Sequence, residues 1–392
     1  MSRNNIFWQA YLNLESELIN ISKYIYITDN VREINKETGK DTKRSGGGQL
    51  EVYSPQLADF LVRCCIDIEA LSKELYFENG GFQQSNDKDL YFDTDCIDLL
   101  VKKFNIDKKI VQVTCIYFDL IDNENIRIVP LKGANKRSKA YWVKCYQAVK
   151  HDRYNNLHLG NVKACIQALA ALYLLNIYYK KETITIKYSE CGKLDMSFGS
   201  KVFSLVEPSK KYIMCALRGE TISGYMKAET SPYILRFVES TYKEIIAGVR
   251  ENNQIARDFF NNQPELKDQT FVNLIMQLEE KKKKDSTFNY DPLVELFKYR
   301  LNKRINQSLP FEERKKLLVE SKECNCSFVK NENIDVQITK DNIQEKIDLV
   351  GKLYAFDTIL KFDRSRTSRA FNYGFCELLL DDGNVKYDDV LN

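Results

Sequence analysis

The residue types best suited to catalysis in this sequence fall in one short polar run, KHDRYNNLHLGN, at residues 150–161. The run holds Arg153 and the only two histidines of the chain, His151 and His158. Histidine is the side chain that most readily exchanges a proton near neutral pH. Arginine stays charged, and its planar fork can hold two phosphate oxygens. A proton acceptor beside a phosphate clamp suits cleavage of RNA by its own 2′-hydroxyl, a reaction that DNA cannot undergo.

Arg153 and His158 are five positions apart, so on one continuous helix their side chains would diverge by about 140°. They converge only if the backbone breaks between them, and Asn155 and Asn156 favour caps and turns. If Asn155 caps the following helix, His158 lies in its first turn. The free N–H groups and the positive dipole of that helix end would then bind phosphate beside Arg153. The same field would favour the neutral imidazole that a general base requires.

Arg153-x4-His158, placed between two predicted helices, resembles the Arg-x4-6-His motif of the HEPN superfamily. The flanking residues 146–153 and 161–175 resemble the bacterial branch linked to phage defence and abortive infection, and the likeness covers roughly residues 5–180. The resemblance implies a metal-independent endoribonuclease without a cofactor, working as a homodimer with two motifs facing one cleft. It also implies that Arg153 stabilises the scissile phosphate and that His158 acts as base or acid. The products would carry a 2′,3′-cyclic phosphate and a 5′-hydroxyl.

Two positions depart from the family pattern. Tyr154 stands where the family often has Asn, Asp or His, so that position predicts no polar contact beside Arg153. Gly160 stands where some toxins of the family have a tyrosine, two residues after the motif histidine. The glycine argues against regulation by tyrosine modification at that site.

Neighbouring residues are assigned supporting roles, each with a simpler alternative. Asp152 would orient Arg153 or His151, or else form a surface ion pair. His151 would serve as a second acid or base, or else only cap a helix. The pair Arg153 and His158 would, in the simplest alternative, be a helix-end salt bridge without catalysis. The residues expected to bind RNA are Lys132, Lys136, Arg137, Lys139, Asn155 and Asn156.

The four cations of that set lie within eight residues, just before the motif helix, where they would guide an RNA backbone to the cleft. A solvated loop is the simpler interpretation of each of them, and of the second basic stretch at 363–369. Trp142 and Tyr146 lie on the apolar face of their helix and are expected in the core rather than as base-stacking platforms.

Apolar periodicity predicts a mainly α fold. The first domain, residues 1–180, is predicted to be a HEPN-like helical bundle. Its helices are expected at 6–27, 55–78, 95–104, 138–150 and 157–175, with a polar surface loop at 32–49. The second domain, residues 181–392, is predicted to be an α-rich accessory or regulatory domain with a small β element. Its strands are expected at 183–188, 201–206, 211–217 and 335–339, and its helices within 232–321 and at 341–360.

Composition limits the function classes. At 392 residues the chain exceeds the usual size of a single core, and its net charge of +3 means that an anionic partner must be held by a local patch. The most apolar stretch, 165–179, is too short to span a bilayer and predicts a buried helix. Eleven cysteines without a CxxC pair, and no signal peptide, predict reduced thiols in a cytoplasmic protein. The sequence also lacks a phosphate loop, and its two histidines predict no zinc site.

Two function hypotheses follow from these observations. The first is an RNA-cleaving effector of a toxin or phage-defence system, in which the second domain senses a trigger, holds the nuclease inactive or chooses the RNA. Its expected partners, besides the RNA, are an antitoxin, a sensor or a phage-derived trigger. The second is a catalytically silent dimerisation or RNA-binding scaffold that docks a partner protein. Neither hypothesis requires a membrane.

Overall fold

The computed structural model describes residues 6–34, 38, 41–45, 48–83, 90–135, 140–187, 194–208, 225–227, 229–321, 337–363 and 376–381. Over these ranges the protein is mainly α-helical with a small β component, which confirms the predicted fold class. The chain forms two compact units. Unit 1 comprises Met1–Val238 together with Gly374–Asn392, and unit 2 comprises Glu239–Tyr373.

The long helices of unit 1 overlap the predicted ones, although α1 ends at Ile21 rather than at 27 and α7 covers Val162–Lys180 rather than 157–175. Helix α2 begins as its sequence indicates, because Leu57 N donates to Ser54 Oγ at 3.1 Å and Pro55 occupies the first helical position. The helix predicted at 95–104 is divided into a π-helical turn, Phe92–Ile97, and a following α-helix. The full set is α1 Ile6–Ile21, α2 Pro55–Glu78, α3 Asp98–Phe104, α4 Asn123–Ile126, α5 Tyr141–His151, α6 Arg153–Asn156 and α7 Val162–Lys180.

Helix α7 forms the centre of unit 1. It packs against α1, α2 and α5, and most of its side chains are buried because it is apolar on all sides. In the described part of the chain, α7 is the one helix long and apolar enough to cross a membrane, yet 83% of that apolar window is buried within the protein. The burial matches the predicted core helix.

The strands among the described residues all lie in unit 1 and pair antiparallel, in a hairpin β1-β2, a sheet β4-β3-β6 and a sheet β5-β9-β8-β7. They are β1 Asn30–Ile34, β2 Asp41–Ser45, β3 Val111–Val113, β4 Arg127–Ile128, β5 Ile184–Ile186, β6 Phe203–Leu205, β7 Tyr225–Lys227, β8 Tyr233–Phe237 and β9 Cys376–Leu380. The hairpin corrects the loop expected at 32–49. The strand predicted at 211–217 lies outside the described residues.

The division between the units is not at residue 180, where the sequence placed it. Strand β6 pairs with β3, with Val111 opposite Leu205, so the residues after α7 are part of the first unit's sheet. Strand β9 returns from the far end of the chain and lies between β5 and β8. Asp381, directly after β9, forms a buried ion pair with Lys109 at 3.9 Å. These long-range pairings extend unit 1 to Val238 and bring the chain's last strand back to it.

The described residues of unit 2 form helices joined by short non-helical segments. Its helices are α8 Glu239–Asn261, α9 Gln269–Lys284, α10 Pro292–Arg304, α11 Phe311–Glu320 and α12 Ile343–Asp363. Helices α10, α11 and α12 share one apolar core, and α9, α10 and α12 share another. The predicted strand at 335–339 is wrong over its described part, since Gln337 is in a 3-10 turn and Ile338 packs into the first of these cores. As far as the structure describes the chain, the small β element therefore belongs to unit 1.

A buried carboxylate joins helix α1 to the segment that precedes β6. Glu15 Oε1 accepts hydrogen bonds from Tyr11 Oη at 2.6 Å, from Ser200 Oγ, and from the backbone N–H groups of Lys201 and Val202 at 2.9 and 3.1 Å. Burial and the neighbouring carboxylate raise the pKa of Tyr11 well above its ordinary value, so its hydroxyl stays a donor. This network attaches residues 200–202 to the helical part of unit 1.

We predict that Glu15→Ala lowers the free energy of unfolding by about 2–5 kcal/mol, because one buried and one partly buried backbone N–H group lose their acceptor. Glu15→Gln should cost less, since an amide oxygen can replace Oε1. Urea unfolding followed by circular dichroism measures both changes. Glu17→Ala on the same helix is the matched control, because its ion pair with Arg63 is solvent-accessible; it should change stability by about 1 kcal/mol or less. Equal losses for Glu15→Ala and Glu17→Ala would contradict the network's role.

Candidate active site

The residues between α5 and α7 form two short helical turns, not a single break. Helix α6 begins at Arg153, a 3-10 turn covers Leu157–Leu159, and α7 begins at Val162. Asp152 caps α6, since its carboxylate accepts from Asn155 N at 3.2 Å and from Asn155 Nδ2 at 2.7 Å. These two hydrogen bonds lower the pKa of Asp152. The side chain of Asp152 therefore stabilises this turn. The hydrogen bonds described for it go to Asn155 and not to Arg153 or His151, which it was expected to orient.

The expectation that Asn155 caps the following long helix is wrong. Asn161 caps α7, with its Oδ1 accepting from Ala164 N at 2.9 Å. Val162 N donates to Val52 O at 3.0 Å, so two of the backbone amides at the start of α7 already have partners. His158 lies in the 3-10 turn ahead of α7, outside its first turn. The helix-dipole argument for a phosphate site therefore does not apply here.

Arg153 forms an ion pair that the sequence did not indicate. Its Nη2 lies 2.7 Å from Oδ1 of Asp59 on α2, and the two side chains are 47% and 56% exposed. A pair this exposed contributes roughly 0–1 kcal/mol, because water and salt screen it. It holds the guanidinium near α2 and is weak enough for a phosphate to compete with the carboxylate.

His158 is exposed, and its ring lies beside that of Tyr53. The two ring centroids are 6.4 Å apart and the planes meet at 80°, an edge-to-face arrangement. Within the described residues, no side chain hydrogen bonds to the imidazole. Both ring nitrogens are therefore open to a ligand.

Each of the two motif residues contacts a residue at or just before the amino-terminal end of α2. Tyr53, which contacts His158, lies two residues before that helix, and Asp59, which binds Arg153, lies in its first turns. Gly160 brings the turn close to α2, since a Cβ at that position would lie 2.6 Å from the Cβ of Ala58. No side chain fits there without a shift of α2, so the packing of the turn against α2 explains the glycine at this position.

The other predicted site residues have mixed outcomes. His151 is exposed at the end of α5. Asn155 and Asn156 bind Asp152, the latter through Nδ2 to the backbone oxygen at 2.9 Å, so their side chains serve the turn. Lys132 is exposed, whereas Lys136, Arg137 and Lys139 lie outside the described residues, as does most of the basic stretch 363–369.

Trp142 and Tyr146 are core residues, as predicted. Trp142 is buried and its Nε1 donates to Pro130 O at 2.7 Å. Tyr146 is buried and its hydroxyl donates to Glu69 Oε1 at 3.0 Å. These two aromatic rings anchor α5 to its neighbours and are not available to stack on a base.

Three residues of the site were missed by the sequence analysis. Asn161 had a signal, because an asparagine directly before a long apolar run is a typical N-cap. Tyr53 and Asp59 had none, since they precede the motif by about a hundred residues and only the packing of α2 brings them to it.

Thiol and metal chemistry have little support at this site. The described cysteines are buried, including Cys145 and Cys165 on the two helices that flank the motif. Burial raises the pKa of both thiols, which disfavours the nucleophilic thiolate. Over the described ranges, no group of three His, Cys, Asp or Glu side chains could hold a metal ion. We therefore assign no residue as a metal or cofactor ligand.

No protein-family model, no curated protein and no solved structure matches this chain. The resemblance to the HEPN superfamily consequently depends on the motif and its flanks alone. The fold and the site define a mainly α protein in which an exposed arginine, Arg153, and an exposed histidine, His158, lie at the amino-terminal end of α2.

We predict that Asn161→Ala lowers the free energy of unfolding by about 1–2 kcal/mol, because α7 loses its cap. Asn161 Nδ2 also donates to Tyr141 Oη at 2.8 Å, so the turn that carries His158 should loosen as well. Asn161→Asp keeps the capping oxygen and should retain most of the stability. Urea unfolding measures the loss, and hydrogen exchange of residues 153–162 measures the loosening. An Asn161→Asp variant as unstable as Asn161→Ala would rule out capping as the cause.

Proposed function

We propose that this protein is a metal-independent endoribonuclease, the effector of a toxin or phage-defence system of the abortive-infection type, acting in the cytoplasm. The observation that carries the proposal is the placement of Arg153 and His158. Both side chains are exposed at the same end of α2, and the only described partner of the guanidinium is a half-exposed carboxylate. A phosphodiester can reach both groups from solvent.

The proposed reaction follows from the chemistry of the two side chains. His158 accepts the proton of a ribose 2′-hydroxyl, and the freed oxygen attacks the adjacent phosphorus. Arg153 binds the phosphate oxygens as negative charge develops on them, displacing or sharing Asp59. The 5′-oxygen of the next nucleotide leaves with a proton, and a 2′,3′-cyclic phosphate remains. His151, exposed at the end of α5, is available to supply that proton.

The expected partners complete the proposal. A second copy of the chain would bring a second motif to the same cleft, as the family resemblance implies. Lys132 would contact the RNA backbone near the site. An antitoxin, a sensor or a phage-derived trigger would control the activity, since an uncontrolled ribonuclease harms its own cell.

A catalytically silent dimerisation or RNA-binding scaffold that docks a partner protein is the second candidate. The ion pair between Arg153 and Asp59 favours it, because a salt bridge between α6 and α2 accounts for the arginine without catalysis. Such a scaffold would have no requirement for His158.

We predict that Arg153→Ala and His158→Ala each lower the rate of RNA cleavage at least about 100-fold, since one removes the phosphate clamp and the other the base. Purified full-length proteins are incubated with total RNA in EDTA, and the product ends are mapped. The expected ends are a cyclic phosphate and a 5′-hydroxyl. Growth after induction, with and without phage infection, is scored in parallel.

Arg63→Ala is the matched control for Arg153→Ala. Arg63 is also on the surface, 48% exposed, and also pairs with one carboxylate, that of Glu17 at 2.6 Å. It should leave cleavage unchanged. His151→Ala tests whether the second histidine contributes the leaving-group proton. Undiminished cleavage by the Arg153 and His158 variants would refute the assignment, and the absence of cleavage and toxicity from every protein, infected or not, would favour the scaffold.

A further inference from the structure

Two exposed tyrosines flank the Arg153–His158 pair. Tyr154 directly follows Arg153 and is 94% exposed, and Tyr53, beside His158, is 53% exposed. An aromatic ring stabilises a fold or an interface most when it is buried, as Tyr146 nearby is in the core. The fold therefore leaves two large aromatic surfaces open at the place where a nucleic acid would be cut.

Tyr53 is held firmly in this position by its backbone. It forms a β-bridge with Asn161, and the preceding Val52 accepts a hydrogen bond from Val162 N at 3.0 Å. The next residues are the N-cap Ser54 and Pro55, whose ring restricts the backbone. Because the backbone is fixed on both sides of Tyr53, little backbone entropy is lost when a ligand stacks on its ring.

We propose that Tyr53 and Tyr154 stack on unpaired bases on either side of the scissile phosphate, so that the substrate is single-stranded RNA. This inference rests on the proposed function. The base of the nucleotide whose 2′-hydroxyl faces His158 stacks on Tyr53, and the following base stacks on Tyr154, next to the phosphate bound by Arg153. Aromatic platforms of this kind accept every base because each base has a π-face. Bases in a duplex are stacked on one another and cannot reach these rings.

The test measures binding separately from cleavage. A fluorescent 2′-fluoro RNA oligonucleotide has no 2′-hydroxyl and cannot be cut by this reaction, so anisotropy reports its dissociation constant with the full-length protein. Tyr53→Ala and Tyr154→Ala should each weaken binding about tenfold, the scale of one lost base stack. Tyr53→Phe keeps the ring and should bind like wild type. The same oligonucleotide in a duplex should bind more weakly than the single strand.

Matched controls come from exposed tyrosines in another part of unit 1. Tyr24 is 90% exposed and Tyr117 is 58% exposed, close to the values for Tyr154 and Tyr53. Their alanine variants should leave the dissociation constant unchanged. Equal binding by all variants, no binding by wild type, or equal affinity for the duplex would overturn the proposal.

The two proposals fail in distinguishable ways. Tyrosine-dependent binding of the 2′-fluoro strand without cleavage of ordinary RNA would refute the nuclease and keep the single-strand site. Cleavage that depends on Arg153 and His158 but not on either tyrosine would keep the nuclease and refute the stacking.

Discussion

The geometry of the candidate site depends on one buried side chain, the amide of Asn161. Its oxygen caps α7, its nitrogen binds the hydroxyl of Tyr141 at the start of α5, and its backbone bridges to Tyr53 ahead of α2. Three helix ends therefore meet at one residue. Because α7 is almost wholly buried, its first residue cannot shift without disturbing the core. Asn161 is hydrogen-bonded to that helix end, so the turn that carries His158 is held in place as well.

The ion pair between Arg153 and Asp59 has a different character from that buried junction. Both partners are about half exposed, so screening keeps the pair weak and leaves the guanidinium free to exchange its carboxylate for a phosphate. A buried arginine would hold its partner too firmly for this exchange. The site thus combines a rigid frame, set by Asn161 and Gly160, with a charged group that can change its ligand.

Local signals predicted the helices and failed wherever distant segments decide the structure. Ser54 and Pro55 marked the start of α2, because capping involves only neighbouring residues. One local signal also failed: the side chain of Asn155 binds Asp152, and the cap of the long helix lies six residues later, at Asn161. Asp59 could not be predicted as the partner of Arg153, since only the packing of α2 brings the two together. The unit boundary failed for the same reason, as β3 pairs with a strand about ninety residues later.

The return of β9 to unit 1 determines how the site has to be studied. This strand pairs on both sides, with Ile184 opposite Leu378 and Phe237 opposite Cys376, so the chain leaves unit 1 and re-enters it at neighbouring strands. A fragment ending at residue 180 or 238 would lose an inner strand. It would also lose Asp381, the carboxylate paired with the buried ammonium of Lys109. Loss of activity in such a fragment would report damage to the fold that supports the site, so a role for unit 2 has to be tested within the intact chain.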